Sequence, residues 1–540
     1  MILSNESLKN KKEWQDAGFA LPQYDRESVY ADTWESPTWI HFGAGNIFRA
    51  FVANAQQTLL NTGKSKKGII VAEGFDYEII EKMYQPKDNL TVLVTLKANG
   101  TIEKTVVGSI VESLTVNPES KEEWQRLIEI FTAPSLQMVS FTITEKGYNL
   151  QAADGSYFSN VVADFATGPV APVSYIGKLA SLVYERYKAG KYPLALVSMD
   201  NCSHNGTKLH DAVIAYAKAW ADNNLVDKGF LAYINDPASI SFPWSMIDKI
   251  TPRPDDSVKE MLKKDGFDDV ESIVTSKNTY VAPFVNAEEP QYLVIEDAFP
   301  NGRPNLDEAG AGILFSDKET VDKVEKMKVC TCLNPLHTAL AVYGCLLDYT
   351  LIADEMKDPE LKKMVETIGY VEGLPVVVDP GIIKPKDFID EVLQVRIPNP
   401  FMPDTPQRIA TDTSQKLAIR FGETIKAYQA SSSLDVADLK LIPLVLAGWC
   451  RYLLAVDDNG KSFTPSSDPL LETCTAYLKN VHLGDTRDFH EDLQPILSNA
   501  KIFGVDLYEV GLGERVEQLF AELVAGPGAV RTTLKKYTSA

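Results

Sequence analysis

Lys328, Asn334 and His337 stand in the order Lys-x5-Asn-x2-His, just ahead of a long apolar run. An amine, a carboxamide and an imidazole in one place suit the chemistry of a secondary alcohol. A lysine held neutral by burial can take the hydroxyl proton. An amide N–H can steady the alkoxide that exists before hydride leaves. A histidine can hold a neighbouring hydroxyl. Each residue also has a plain reading: Asn334 as a helix cap, Lys328 as a solvated charge, His337 as a core histidine. At about 100° per residue, Lys328 and His337 would lie on opposite sides of one straight helix. Pro335 relieves this, because proline suits the first helical position and asparagine the cap before it. The stretch therefore predicts a helix ending near residues 328–329, a bend, and a second helix from Pro335.

A second constellation opens the chain. Residues 38–42 read as a strand that runs into Gly43-Ala-Gly45-Asn46-Ile47-Phe48-Arg49, a tight turn opening a helix. Two glycines there let the backbone approach a pyrophosphate at a helix N-terminus. The third glycine of the usual fingerprint is replaced by Phe48, so the motif alone is weak. The next apolar strand, from Gly68, ends in Glu73 and Asp76. An acid in that place suits the ribose hydroxyls of NAD and repels the 2′-phosphate of NADP; an ordinary polar strand end is the alternative.

Further strands are expected around 90–96, 105–111 and 138–144, the last with a polar exit at Glu145-Lys-Gly147-Tyr148, and a helix over 171–190. Tyr184-x3-Lys188 imitates a catalytic pair of short-chain dehydrogenases, but it lies in a charged amphipathic segment where such pairs are common. Gly63-Lys64-Ser65 imitates a phosphate loop without its earlier glycine. Residues 194–200 read as a buried strand ending in polar groups. Ligands of open α/β sheets bind outside the carboxyl ends of strands, so Asn201 is a second candidate amide donor, with Asn205-Gly206 suited to a turn. Asp248, in an apolar setting before Thr-Pro, can anchor a substrate hydroxyl or be a surface carboxylate. Residues 253–280 look like a charged, helical insertion, and 281–315 are extended. From residue 318 the character becomes helical, which places a domain boundary at 317/318: an α/β domain over 1–317 and a mostly α-helical one over 318–540.

A chain of 540 residues exceeds one ordinary core. A net charge of −21 argues against nucleic acid or an anionic membrane as the main partner. The six cysteines have no zinc-ligand spacing and fit free thiols in a reducing compartment, with no metal expected. The N-terminal residues lack an apolar signal core, and no run approaches the roughly 18 apolar residues of a membrane span. The expected location is the cytoplasm.

Several pieces converge on one family. GAGNIFRAF, TITEKGY, DNCSHNG, SMIDKITP, VIEDAFPNGRP, the Lys-x5-Asn-x2-His set, RIATDTSQKL and WCRYLLAVDDNG resemble, in family order from about residue 38 to 460, the polyol-specific long-chain dehydrogenases of the mannitol dehydrogenase family. The resemblance implies a Rossmann-type N-terminal domain, a helical C-terminal domain with the active site between them, NAD as cofactor and no metal. It implies Lys328 as general base in oxidation and acid in reduction, Asn201 and Asn334 as the oxyanion amides, and Glu325 as a carboxylate gating proton exchange. Asp248, His337, Arg408 and Lys416 match its substrate contacts. Gly43, Gly45, Asn46, Ile47, Phe48, Arg49, Asp76 and Glu145 match its cofactor contacts, Asp76 aligning better than Glu73 with the acidic position. Glu325 can instead form an i,i+3 ion pair with Lys328. Three departures bear on the sugar: Pro-Leu after Asn334, Lys249 after Asp248, and the 253–280 segment. The favoured reaction is reduction of D-fructuronate to D-mannonate. Tagaturonate reduction, polyol 2- or 4-oxidation and a non-catalytic NAD-binding sugar sensor are the alternatives.

Overall fold

The computed structural model describes residues 1–152 and 154–539. The chain divides into two compact units, Met1–Asp322 and Lys323–Ala540, a few residues beyond the expected boundary.

The first unit is built on a six-stranded, wholly parallel sheet. Its strands are β1 (Trp39–Phe42), β2 (Ile69–Glu73), β3 (Ile110–Thr115), β4 (Met138–Phe141), β5 (Leu194–Ser198) and β6 (Ile240–Ser241), in the spatial order β3-β2-β1-β4-β5-β6. This 3-2-1-4-5-6 order is that of dinucleotide-binding sheets, whose strand order reverses between β1 and β4. Both faces are covered, so the strands are apolar at nearly every position rather than at alternate ones. Ile40, Phe42, Ile70, Val139 and Leu196 enter one core. Their neighbours Trp39, Ile69, Val71, Met138 and Val197 enter the other. The helix expected over 171–190 spans Tyr175–Gly190, starting four residues later, just after Ser174, whose hydroxyl accepts the Gly177 N–H. Lys188 pairs with Glu185 on its exposed face, as a solvated lysine does.

Two expectations change. The strand expected over 105–111 is two strands: Ile102–Val107 pairs antiparallel with Thr91–Leu96, whereas β3 pairs parallel with β2. Gly108 separates them. Its N–H donates to Gln57 Oε1 at 2.6 Å, and a Cβ there would stand 2.9 Å from Arg26 Nε. The 253–280 segment is helical only over Asp256–Lys264; Ile273–Val274 and Tyr280–Val281 form a two-stranded hairpin. The polar N-terminal region is folded into the unit. Trp14 is fully buried against Phe19 and Phe267, and Phe19–Ala20 adds a strand beside Ile102–Val107.

The second unit is helical as expected, as far as Pro385–Glu391 and the C-terminal Ala529–Thr538. Its central helices are Asn334–Leu346 and Leu441–Tyr452. Tyr343 Oη donates to the Leu444 carbonyl at 2.9 Å, and Gly448 leaves room for the Tyr343 ring. The run Lys318–Leu346 is, by length and composition, apolar enough to cross a membrane, contrary to expectation. Since 78% of its most apolar window is buried, it reads as a core helix of this fold.

Candidate active site

The nucleotide face of the first unit follows from the sheet. A cavity of about 1050 Å³ lies along the carboxyl ends of β1, β2 and β4, walled by Gly43–Gly45, residues 73–79, residues 142–144 and residues 146–147. Gly43 is required at its place. Its φ is +108°, and a Cβ would stand 2.2 Å from the Thr142 carbonyl oxygen, so only glycine lets β1 leave the sheet this close to β4. Glu73 braces that turn: its Oε2 accepts the Ala44 N–H at 3.0 Å, and its Oε1 accepts those of Phe75 and Asp76. Gly74 leaves room for the Tyr175 ring, which a Cβ would meet at 2.6 Å.

The opposite wall is held by Asp200. Its carboxylate accepts the Ile143 and Thr144 N–H groups at 3.0 and 2.8 Å and the Tyr148 hydroxyl at 2.5 Å, fixing Thr144 at φ +64°. Burial pushes this carboxyl upward against the opposing effect of those hydrogen bonds. Lys178 lies at the β2 end, its ammonium donating to Tyr77 Oη at 2.7 Å; burial, with Lys277 nearby, pushes it down to about 8.

Of the residues expected to contact the cofactor, Gly43, Gly45 and Asp76 line this cavity. Asp76 is only 2% exposed, and its Oδ2 accepts the Thr275 hydroxyl at 2.6 Å. Asn46, Ile47, Phe48, Arg49 and Glu145 are not among the lining residues. Phe48 is fully buried and stacks on His41 at 4.0 Å between ring centroids; it occupies the space that the missing third glycine would leave to helix–strand packing. Arg49 is buried, bonded to Asn46 Oδ1, Thr91 Oγ1 and the Ala282 carbonyl. Glu145 pairs with Lys208 at 3.0 Å. Asn201 is exposed beyond the end of β5. Asn205, expected in a turn, instead begins a helix and pins the chain, its amide donating to the Ser198 and Asp200 carbonyls and to Ser245 Oγ. Asp248 ends a strand and is 6% exposed, which removes the surface-carboxylate reading.

In the second unit the bend expected near Lys328 is a π-helical turn, Lys328–Cys332, between the helices Lys318–Met327 and Asn334–Leu346. The wider i→i+5 turn takes up an extra residue between the two helices. Leu333, at φ −130° and ψ −60°, breaks the helix before Asn334. Lys328 is 5% exposed, so the solvated-charge reading falls. Among the described residues no side chain caps the second helix, and Asn334 accepts the Thr338 hydroxyl through its backbone oxygen. Glu325 is half-buried one turn before Lys328.

His337 stands among charges. Its Nε2 lies 3.9 Å from Asp404 Oδ2, and Asp404 also pairs with Arg408. Burial, reinforced by Arg396, Arg420 and Arg408 and opposed by Asp404, pushes the imidazole down to about 4, so it is neutral at physiological pH. Arg420 donates to Thr338 Oγ1 at 2.5 Å, and Arg396 is 4% exposed. Lys416, its ammonium bonded to the Thr411 carbonyl at 2.5 Å, is pushed down by burial and by the Arg420 charge. The structure thus brings His337, Arg408 and Lys416 into one basic cluster and adds Arg396, Arg420 and Asp404, which the sequence did not mark. Arg396 and Arg420 lie in two further π-helical turns, Val392–Arg396 and Ala418–Gly422, where no helical periodicity exposes them to a reader.

A sheet of dinucleotide-binding order in one unit, and in the other a buried lysine six residues before an asparagine whose carboxamide does not cap its helix, are the features of a two-domain dehydrogenase. Residues 37–308 match the mannitol dehydrogenase Rossmann domain and residues 320–524 the mannitol dehydrogenase C-terminal domain; the chain belongs to the mannitol dehydrogenase family. It is 53% identical over 536 residues to the D-mannonate oxidoreductase of Thermotoga maritima, covering 99% of each chain. Among solved structures, mannitol 2-dehydrogenase of Pseudomonas fluorescens, a ternary complex with NAD and D-mannitol, is 26% identical with a TM-score of 0.69 over 99% of each chain. A substrate-free D-sorbitol dehydrogenase shares the fold, with a TM-score of 0.80 over 99% of this chain and 100% of that one.

Proposed function

We propose that the protein is an NAD(H)-dependent oxidoreductase that reduces D-fructuronate to D-mannonate, reversibly, at a secondary carbinol of a linear sugar acid. The observation that carries the choice of an acid is the basic cluster of Arg396, Arg408, Lys416 and Arg420 around His337, in a protein whose net charge is −21. Such a cluster offers charge-assisted hydrogen bonds to a carboxylate, which an uncharged polyol does not need. The whole-length relation to a D-mannonate oxidoreductase points the same way.

The cavity of the first unit fits a dinucleotide: it follows the crevice where strand order reverses, with a glycine turn at one end and carboxylates at the β2 end. Glu73 and Asp76 there disfavour a 2′-phosphate, so NAD(H) is the cofactor rather than NADP(H). When bound, the nicotinamide supplies or accepts the hydride. The remaining work belongs to side chains. Lys328 gives a proton from Nζ to the substrate oxygen in reduction and takes it back in oxidation. Asn334 steadies the developing oxyanion through its carboxamide N–H, and Asn201 offers the same chemistry. Neutral His337 and the Asp248 carboxylate hold sugar hydroxyls, Arg408 and Lys416 hold the carboxylate, and Glu325 passes the Lys328 proton to solvent. The six cysteines, none in a disulfide among the described residues, fit a reducing compartment, and we place the protein in the cytoplasm.

Lys328→Ala tests the mechanism. Turnover should fall by about 10²–10⁴-fold, the range for a positioned acid–base group. NADH binding should persist, the rise of the oxidation rate with pH should disappear, and an added primary amine should restore part of the activity. Near-normal turnover with an unchanged pH profile would place the proton acceptor elsewhere.

A further inference from the structure

The hairpin of the 253–280 segment reaches the nucleotide cavity. Its tip residues Ser276, Lys277 and Thr279 line the same cavity as Phe75 and Asp76 at the end of β2. The tip is held there by two carboxylates from the β2 exit. Asp76 Oδ2 accepts the Thr275 hydroxyl at 2.6 Å, and Glu78 Oε1 accepts the Ser276 N–H at 3.2 Å. Thr275 in turn accepts the Thr279 N–H at 3.1 Å, which closes the tip with Asn278 at φ +61°. The base of the segment is also fixed, since Asp269 pairs with Lys87 at 2.6 Å. So this is a tethered wall of the cavity.

Two of its features have no structural task that would explain them. Phe75 is 62% exposed although it follows directly on the strand that ends the cavity. Lys277 holds its ammonium 4.1 Å from the centre of the Phe75 ring. An open aromatic face with a cation on it suits a planar, electron-rich heterocycle carrying a phosphate. Four carboxylates line this wall, Glu73, Asp76, Glu78 and Glu81, against the two lysines Lys178 and Lys277. A phosphate-bearing ligand there needs a compensating positive charge, and Lys277 brings one on an element outside the sheet.

We propose that the 273–281 hairpin is an adenylate-recognition element, in which Phe75 and Lys277 together bind the adenosine monophosphate half of the dinucleotide. The proposal rests on the reading of the cavity as the NAD(H) site. It gives Asp76 a positioning role, since its bond to Thr275 sets where Lys277 stands.

The test is titration of the full chain with NADH, followed by its fluorescence, and with 5′-AMP as competitor, for the wild type, Phe75→Ala and Lys277→Ala. Both side chains are exposed, so both variants should fold with an unchanged thermal midpoint. Each should bind NADH and 5′-AMP about tenfold more weakly, by equal factors for the two ligands, as expected when one ring or charge contact is lost. Lys277→Glu should be weaker again. Wild-type affinity for both ligands in both variants would overturn the proposal while leaving the cavity as the cofactor site. A wild-type protein that binds neither ligand would overturn the cavity reading itself, and the hairpin's role with it.

Discussion

A helix cap and an oxyanion donor make different demands on Asn334. A capping asparagine stabilises its helix by about 0.5–2 kcal/mol, and its loss lowers stability. An oxyanion donor contributes to the rate, and its loss costs about 10²–10³-fold in kcat. In this chain the helix after the π turn has no side-chain cap among the described residues, and the Asn334 backbone oxygen accepts the Thr338 hydroxyl. Asn334→Ala should therefore lower kcat by about 10²–10³-fold while leaving the unfolding midpoint where it was. A lowered midpoint with intact kcat would make Asn334 a cap after all. At this scale the spacing of Lys328, Asn334 and His337 was readable because residue type alone names the chemistry. The neutral state of His337 was not, because it arises from burial and from Arg396, Arg408 and Arg420, which are distant in sequence.

Among elements, the parallel strands were legible wherever an apolar run ended in glycine or acid, as at Phe42-Gly43 and at Glu73-Gly74. The π turns were not, since a turn of i→i+5 bonds has no repeating pattern to betray it. The hairpin at 273–281 was hidden for another reason: its strands are two residues each, and the tertiary bond from Thr275 to Asp76 holds them. Helix packing also stores a titratable group. Glu355, at the end of the helix Ile352–Glu355, is fully buried, and its Oε1 lies 2.1 Å from where a Cβ on Gly344 would stand. Neither carboxyl oxygen has a partner among the described residues. Burial, then the Asp358 charge, pushes this carboxyl well above its ordinary 4.5. Between those two values the native state keeps a proton that the unfolded chain has lost. Stability must then fall as pH rises above about 4.5, by up to about 1.4 kcal/mol per pH unit. Urea unfolding of Glu355→Gln from pH 5 to 8 should lack this decline relative to the wild type. Parallel curves for the two proteins would show that the carboxyl is not held neutral.

For the whole molecule, a net charge of −21 sets a repulsive background for any acidic substrate, so the basic cluster of the second unit is a local exception that has to do work against it. The order of the chain, an α/β unit and then a helical one, could be read from the change in composition near residue 318. The strand order that identifies the dinucleotide face could not, because it depends on which strands pair, as in the parallel contact of β1 with both β2 and β4. The most direct measurement is NADH oxidation by the full chain with D-fructuronate, tagaturonate, fructose and xylulose offered separately at equal concentration. The expected result is a kcat/KM for D-fructuronate well above the other three, with both uncharged ketoses last. Faster turnover of fructose or xylulose than of either uronate would contradict a sugar-acid enzyme and make the basic cluster serve some other end.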